Sequence, residues 1–198
     1  LLDPRQWKKE RYPVLKTDEA LGMQDTAEGH AVRAVYLYCA MADLAYEYQD
    51  EGLLHACEKL YDNIIKKRMY LTGGIGSSGA YERFTTDYDL PNDTNYAESC
   101  ASIGLALFCR RMLAITGEEK YAETMECALM NTVTAGIALD GKSFFYVNPL
   151  EVWPDNCMDH TSMAHVKPVR QKWFGCACCP PNIARTLASL GEYVYAAE

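Results

Sequence analysis

The chain has 198 residues, of which 49% are hydrophobic, an ordinary globular proportion, and carries 19 basic and 27 acidic residues for a formal charge of −8. An acidic chain without a long basic run is expected to be a poor nucleic-acid binder, and its densest run, Lys66-Lys67-Arg68, is short and reads as a solvated helix end. No apolar window approaches the ~20 residues of a membrane span, so no membrane partner is expected either. The opening LLDPRQWKKERYPV has neither an initiator Met nor signal-peptide architecture, which predicts a piece of a longer protein.

In chain order, residues 1–24 read as an irregular lead-in with Pro4 and Pro13. Asp25-Thr26-Ala27-Glu28 resembles a capping box, predicting a helix with Val32, Val35, Tyr36, Cys39 and Ala40 on one stripe that ends near Gly52. A second helix is predicted over 53–70, with Leu54, Cys57, Leu60, Tyr61 and Ile64 at helical spacing. The long loop LTGGIGSSGAYERFTTDYDLPND follows. A third helix covers 101–115 and stops at Thr116-Gly117, and a fourth covers 119–138. KSFFYVNPLEV, from Lys142, is rich in aromatic and branched residues and reads as a short strand or hairpin. A loop of about 25 residues holding His160 and His165 leads to a last helix from Pro180-Pro181 to about Tyr195. Helix–loop–helix units joined by long loops predict an all-α toroid of helical hairpins, and loops of such length are usually functional.

The nine cysteines are odd in number, and the chain too long and too helical, for a secreted disulfide scaffold. Cys39, Cys57, Cys109 and Cys127 fall in helical apolar patterns and read as buried packing. A reducing compartment, the cytoplasm, suits so many free thiols. GCACCPPN (175–182) is different. Pro marks a helix start, and the helix dipole favours thiolates at Cys178 and Cys179, while Pro180 disfavours the α region for Cys179. Plain packing of one cysteine beside a spectator accounts for the pair about as well.

In YAESC, Asn95 and Glu98 have capping-box spacing, so Glu98 could simply cap the third helix. Glu98 and Cys100 can instead serve one metal only if the helix begins near or after Cys100, because i and i+2 share a face only in extended backbone. Glu98, Cys100, Cys178 and Cys179 would together give one carboxylate and three sulfurs, a set suited to tetrahedral Zn²⁺. The spacing is not that of a zinc finger or ribbon, and adjacent ligands are expected to need a kinked backbone. The run Gly73-Gly74-Ile75-Gly76 lacks both phosphate-loop patterns and predicts close approach of the backbone to a ligand or helix. Glu82 lies between Tyr81 and Phe84. An aromatic setting raises a carboxyl pKa and suits a general acid, although the local sequence alone reads as a surface glutamate.

TGGIGSSGAYERF, DYDLPNDTNYAESCASIGL, LDGKSFFYVNPLEV and WFGCACCPPNIARTLASLG together resemble the glycoside hydrolase family 127 β-L-arabinofuranosidases, from about His30 to the end of the chain. The resemblance implies part of a catalytic (α/α)6 toroid over 1–198, with early helices and C-terminal β-sandwich modules outside it. It implies Cys178 as nucleophile, Glu82 as acid/base, and a Zn²⁺ site of Glu98, Cys100, Cys178 and Cys179 with net charge −2. It also implies substrate contacts at His30 and Tyr146, and a small carbohydrate substrate, an arabinofuranosyl oligosaccharide or glycopeptide. A non-catalytic zinc-stabilised helical domain and a toroid hydrolase acting on another sugar remain alternatives.

Overall fold

The computed structural model describes residues 20–195. Four long helices make the frame: α1 (Ala31–Tyr48), α2 (Glu51–Lys67), α3 (Ser99–Thr116) and α4 (Glu119–Ala128). Two helices close the chain, α5 (Cys179–Ala188) and the single turn α6 (Gly191–Val194). Most of the predicted lead-in lies outside the described residues, and its end forms one 3-10 turn, Leu21–Met23.

Helix α3 is the centre. Every residue from Ser99 to Cys109 is buried, and it packs against α1, α4 and α5. By length and apolarity α3 could span a membrane, contrary to the sequence expectation, but most of its apolar window is buried in this core. Gly117 ends it in the left-handed conformation, at the predicted stop. Helices α1 and α2 form the neighbouring hairpin. Asp50 caps α2 by accepting from the Leu53 amide at 3.0 Å. In α1 the buried face runs through Ala31, Ala34, Val35, Tyr38 and Cys39, whereas Ala40 of the predicted stripe is exposed.

Several predicted boundaries shift because tertiary contacts override local preference. Helix α1 begins five residues after Thr26, with His30 at its cap position and no side-chain cap. The capping-box segment is held elsewhere: Ala27 donates its amide to Asn63 Oδ1 at 2.9 Å, Arg68 donates to the Ala27 carbonyl, and the Gly29 carbonyl accepts from Phe84 at 2.9 Å. Arg68 is therefore buried and not a solvated helix end. The fourth helix stops at Ala128 and gives way to a π-helical turn, Leu129–Thr134, where Thr132 donates to the Thr72 carbonyl at 2.6 Å.

The strand expected from Lys142 does not form. Phe144 makes single bridges to Ile137 and to Gln171, and Val147 makes one to Glu98, so no ladder propagates along one partner. The last helix breaks at Ser189, before α6. Cys39, Cys57 and Cys109 are buried as expected, whereas Cys127 is only partly so. All nine cysteines are free.

Candidate active site

Three loop–helix junctions converge on one end of α3. The first is the glycine-rich loop. Gly73 has φ +81°, and a Cβ there would lie 2.6 Å from the Ala128 Cα, so the loop rides directly on the α4 backbone as predicted. The Gly76 carbonyl then accepts from the amides of Tyr96 and Ala97, at 3.2 and 2.9 Å. This contact anchors the second junction, Tyr96–Cys100. Ala97 is left-handed (φ 42°), and Glu98 is extended (φ −61°, ψ 138°) immediately before α3 begins at Ser99. Glu98 makes no capping bond, so the condition set for a shared Glu98/Cys100 site is met.

The third junction is Cys178-Cys179. Cys178 occupies the cap position of α5 with ordinary α dihedrals (φ −72°, ψ −45°), and Cys179 is the first residue of the helix. Two sequence expectations fail here. Pro180 does not keep Cys179 out of the helix, and no kink is needed to aim both sulfurs together.

Four donors meet. The sulfur of Cys178 lies 3.2 Å and that of Cys179 3.5 Å from Glu98 Oε1. Cys100 Sγ is 3.4 Å from Cys179 Sγ, and the two adjacent sulfurs are 3.8 Å apart. All four donor atoms lie within 4.8 Å of one another, a grouping that can hold a metal ion. The second carboxylate oxygen of Glu98 is buried without a partner, and Glu98, Cys100 and Cys179 are buried while Cys178 is exposed. An unpartnered buried acceptor among three thiols fits a cation, which would compensate the charge that the donors impose on each other.

The protein alone does not make Cys178 a thiolate, contrary to the expectation from the helix start. Desolvation of its sulfur against its neighbours and the charge of Glu98 push the Cys178 thiol up. The hydrogen bond with Cys100 and burial push Cys179 up, and the same Cys179 contact holds Cys100 down. Burial raises Glu98. Tyr146 Oη stands 2.8 Å from Cys178 Sγ, so this predicted substrate contact is also a hydrogen-bond partner of the predicted nucleophile.

Glu82 also lies near Glu98. Its carboxylate, with His30 and Glu98, forms a second grouping whose donor atoms lie within 4.8 Å of one another. Oε2 of Glu82 is 2.8 Å from His30 Nε2, and Oε1 accepts from Tyr96 Oη at 2.9 Å. The raised pKa that an aromatic setting would give Glu82 does not arise: the His30 hydrogen bond, helped by that of Tyr96, holds its carboxyl below the usual carboxylate range. The aromatic neighbour that matters is Tyr96, a donor, not an apolar wall. Burial pushes the Tyr96 hydroxyl up, so it stays protonated. Glu82 and Tyr81 both have positive φ (52° and 61°), backbone strain of the kind found at functional sites.

Tyr96 and His165 are the residues that sequence reasoning missed. The rings of Tyr96 and His165 lie 5.7 Å apart, and His165 Nε2 is 3.2 Å from the Asn95 carbonyl. Tyr96 stands in the same YAESC segment as the two candidate ligands, the one signal available. His160 has positive φ and is exposed.

The family model of the β-L-arabinofuranosidase GH127 catalytic domain matches residues 4–192. The chain belongs to the GH127 catalytic-domain family. It is 48% identical over 172 residues to a non-reducing end β-L-arabinofuranosidase of Bifidobacterium longum subsp. longum, covering 87% of this chain and 26% of that protein. Among solved structures it is similar to a GH127 β-L-arabinofuranosidase from Geobacillus stearothermophilus T6, with TM-score 0.86 and 58% identity over 90% of this chain and 28% of that one. A second GH127 β-arabinofuranosidase structure matches with TM-score 0.84 and 41% identity, covering 98% of this chain and 28% of that one. The chain thus spans about a quarter of the length of these GH127 relatives, and its helical architecture is consistent with part of their toroid.

Proposed function

We propose that the whole protein hydrolyses β-L-arabinofuranosides with retention of configuration, Cys178 acting as nucleophile and Glu82 as acid/base. The observation that carries this reading is the exposed sulfur of Cys178 in contact with Tyr146 and Glu98, with the Glu82 carboxylate within 4.8 Å of that of Glu98. Membership of the GH127 family and the name of the 48% identical relative supply the sugar.

Glu98, Cys100, Cys178 and Cys179 would hold a zinc ion, which when bound supplies the positive charge that keeps sulfur in its thiolate form. Cys178 Sγ forms a bond to the anomeric carbon as the bond to the leaving oxygen breaks, and Glu82 gives that oxygen its proton. In the free protein the His30 hydrogen bond keeps Glu82 ionised. A sugar that takes His30 as its own partner releases this hold and returns Glu82 toward its acid form. Water then attacks the anomeric carbon, Glu82 accepts its proton, and the carbon–sulfur bond breaks. Two inversions give net retention. Nine free thiols support a reducing compartment such as the cytoplasm.

One observation favours a second reading. Four protein donors fill a tetrahedral ion, the pattern of a structural zinc. A β-L-arabinofuranoside bearing a haloacetamide separates the two readings. Active-site alkylation of Cys178, located by peptide mass spectrometry and prevented by free arabinose, is expected for the enzyme. Cys178→Ser should lower turnover of an aryl β-L-arabinofuranoside by at least about a thousandfold. Labelling that ignores arabinose, together with substantial turnover by that variant, leaves the structural zinc domain.

A further inference from the structure

The two oxygens of Glu82 have different keepers. Oε2 faces His30 Nε2 at 2.8 Å. Oε1 accepts from Tyr96 Oη at 2.9 Å. Glu82 itself is poorly supported. Its side chain is 35% exposed, and its backbone lies in a short turn with two successive left-handed residues. Tyr96, by contrast, is fixed from several directions. Its amide donates to the Gly76 carbonyl at 3.2 Å, and its carbonyl accepts from Asn148 at 3.3 Å. Its ring meets Tyr146 edge-on, with centroids 6.2 Å apart, and leans on His165. The same anchored segment carries Glu98 two residues later.

We propose that Tyr96 is the positioning residue of the acid/base: its hydroxyl pins Oε1 of Glu82, leaving Oε2 as the oxygen that exchanges a proton with the leaving group. The inference rests on the glycosidase reading given above. Proton transfer requires the carboxyl oxygen within about 2.6–3.2 Å of its target. A carboxylate free to turn about its terminal torsion meets that distance for a smaller part of the time. Tyr96 thus joins the acid/base to the wall that also carries Tyr146, and so sets the two catalytic side chains in one frame.

The test is Tyr96→Phe in the zinc-loaded whole protein, with kcat/KM measured on two aryl β-L-arabinofuranosides, one with a dinitrophenyl and one with an unsubstituted phenyl leaving group. The phenyl substrate needs proton donation and should lose about 10- to 100-fold. The dinitrophenyl substrate should lose no more than about threefold, since its leaving group departs unprotonated. Zinc per chain should stay at the parent value. Equal losses on both substrates, or no loss on either, overturn the assignment. Loss of zinc also overturns it, because Tyr96 would then be assembling the ligand site. In a Glu82→Gln background, Tyr96→Phe should add no further loss on the phenyl substrate, and an additive loss overturns the inference. A parent inactive on both substrates removes the glycosidase reading and this inference with it, whereas an active parent matched by its Tyr96→Phe variant removes the inference alone.

Discussion

Asp87 is the residue whose change should spread furthest from its own position. Its Oδ1 accepts from Arg68 Nε and Nη2 at 2.8 and 2.7 Å and from Asn63 Nδ2 at 3.1 Å, while Oδ2 accepts from Lys67 at 2.8 Å. Arg68 is nearly fully buried, and both it and Asn63 hold Ala27, three residues before His30. Asp87→Asn keeps the shape and one acceptor but removes the charge. The Asn63 bond becomes a neutral one, one cationic donor meets an amide NH2 that cannot accept, and the buried Arg68 guanidinium loses its counter-charge; the exposed Lys67 contact adds little, and the total is about 2–4 kcal/mol. For a chain of this size each kcal/mol shifts the melting temperature by about 2–4 °C, so a fall of about 4–16 °C is expected by calorimetry. The Lys67 hydrogen bond, with those of Arg68 and Asn63, holds the Asp87 carboxyl far below its ordinary value. A depressed folded pKa stabilises the protein above the unfolded value, about 3.9, and that contribution is lost as pH falls from there toward the folded value. The gap between parent and variant should thus be full at pH 7 and narrow below about pH 4. Exchange of the Ala27 amide should also quicken at pH 7. A melting shift under about 2 °C with unchanged Ala27 exchange would refute the clamp.

Elemental analysis of protein purified without added metal should give about one zinc per chain in the parent and little in Cys100→Ser, and a parent without zinc would remove the metal-assisted mechanism. Gly73→Ala must place a methyl 2.6 Å from the Ala128 Cα at φ +81°. It should cost about 2–4 kcal/mol in chemical denaturation, and a cost below about 0.5 kcal/mol would show that the loop does not ride on α4. In the metal-free protein, an alkylating pulse at pH 8 should label the exposed Cys176 before the core thiols. Cys39 and Cys57, pushed by burial to about 12, should react only on unfolding, and early labelling of either would contradict the core.

The helices were legible where their pattern is local. The apolar spacing of α2 and the Thr116-Gly117 stop of α3 depend on residues within a turn or two of each other, and both appear close to where the sequence predicts them. The capping box at Asp25 was a sound local signal that lost to Asn63 and Arg68, 36 and 41 positions beyond the Ala27 they hold. The strand from Lys142 had the right composition but no single partner along which to run. The residues of the candidate site were recognisable as motifs, because GCACCPPN and YAESC are specific strings. Their meeting was not, since Glu98 and Cys178 are separated by 80 positions and join only through the packing of α5 on α3.

By itself, then, the sequence determined the helical elements and the family, both of which are written in short-range order. Tertiary structure decided which neighbours tune the ionisable groups of the site. A helix start favours a thiolate at Cys178, yet desolvation and Glu98 push that thiol up. An aromatic neighbourhood favours a protonated Glu82, yet the neighbours that matter are His30 and Tyr96, which donate hydrogen bonds and hold it ionised. The reason is physical: a pKa is set by the charges, donors and solvent within a few ångströms, and the fold alone chooses those neighbours.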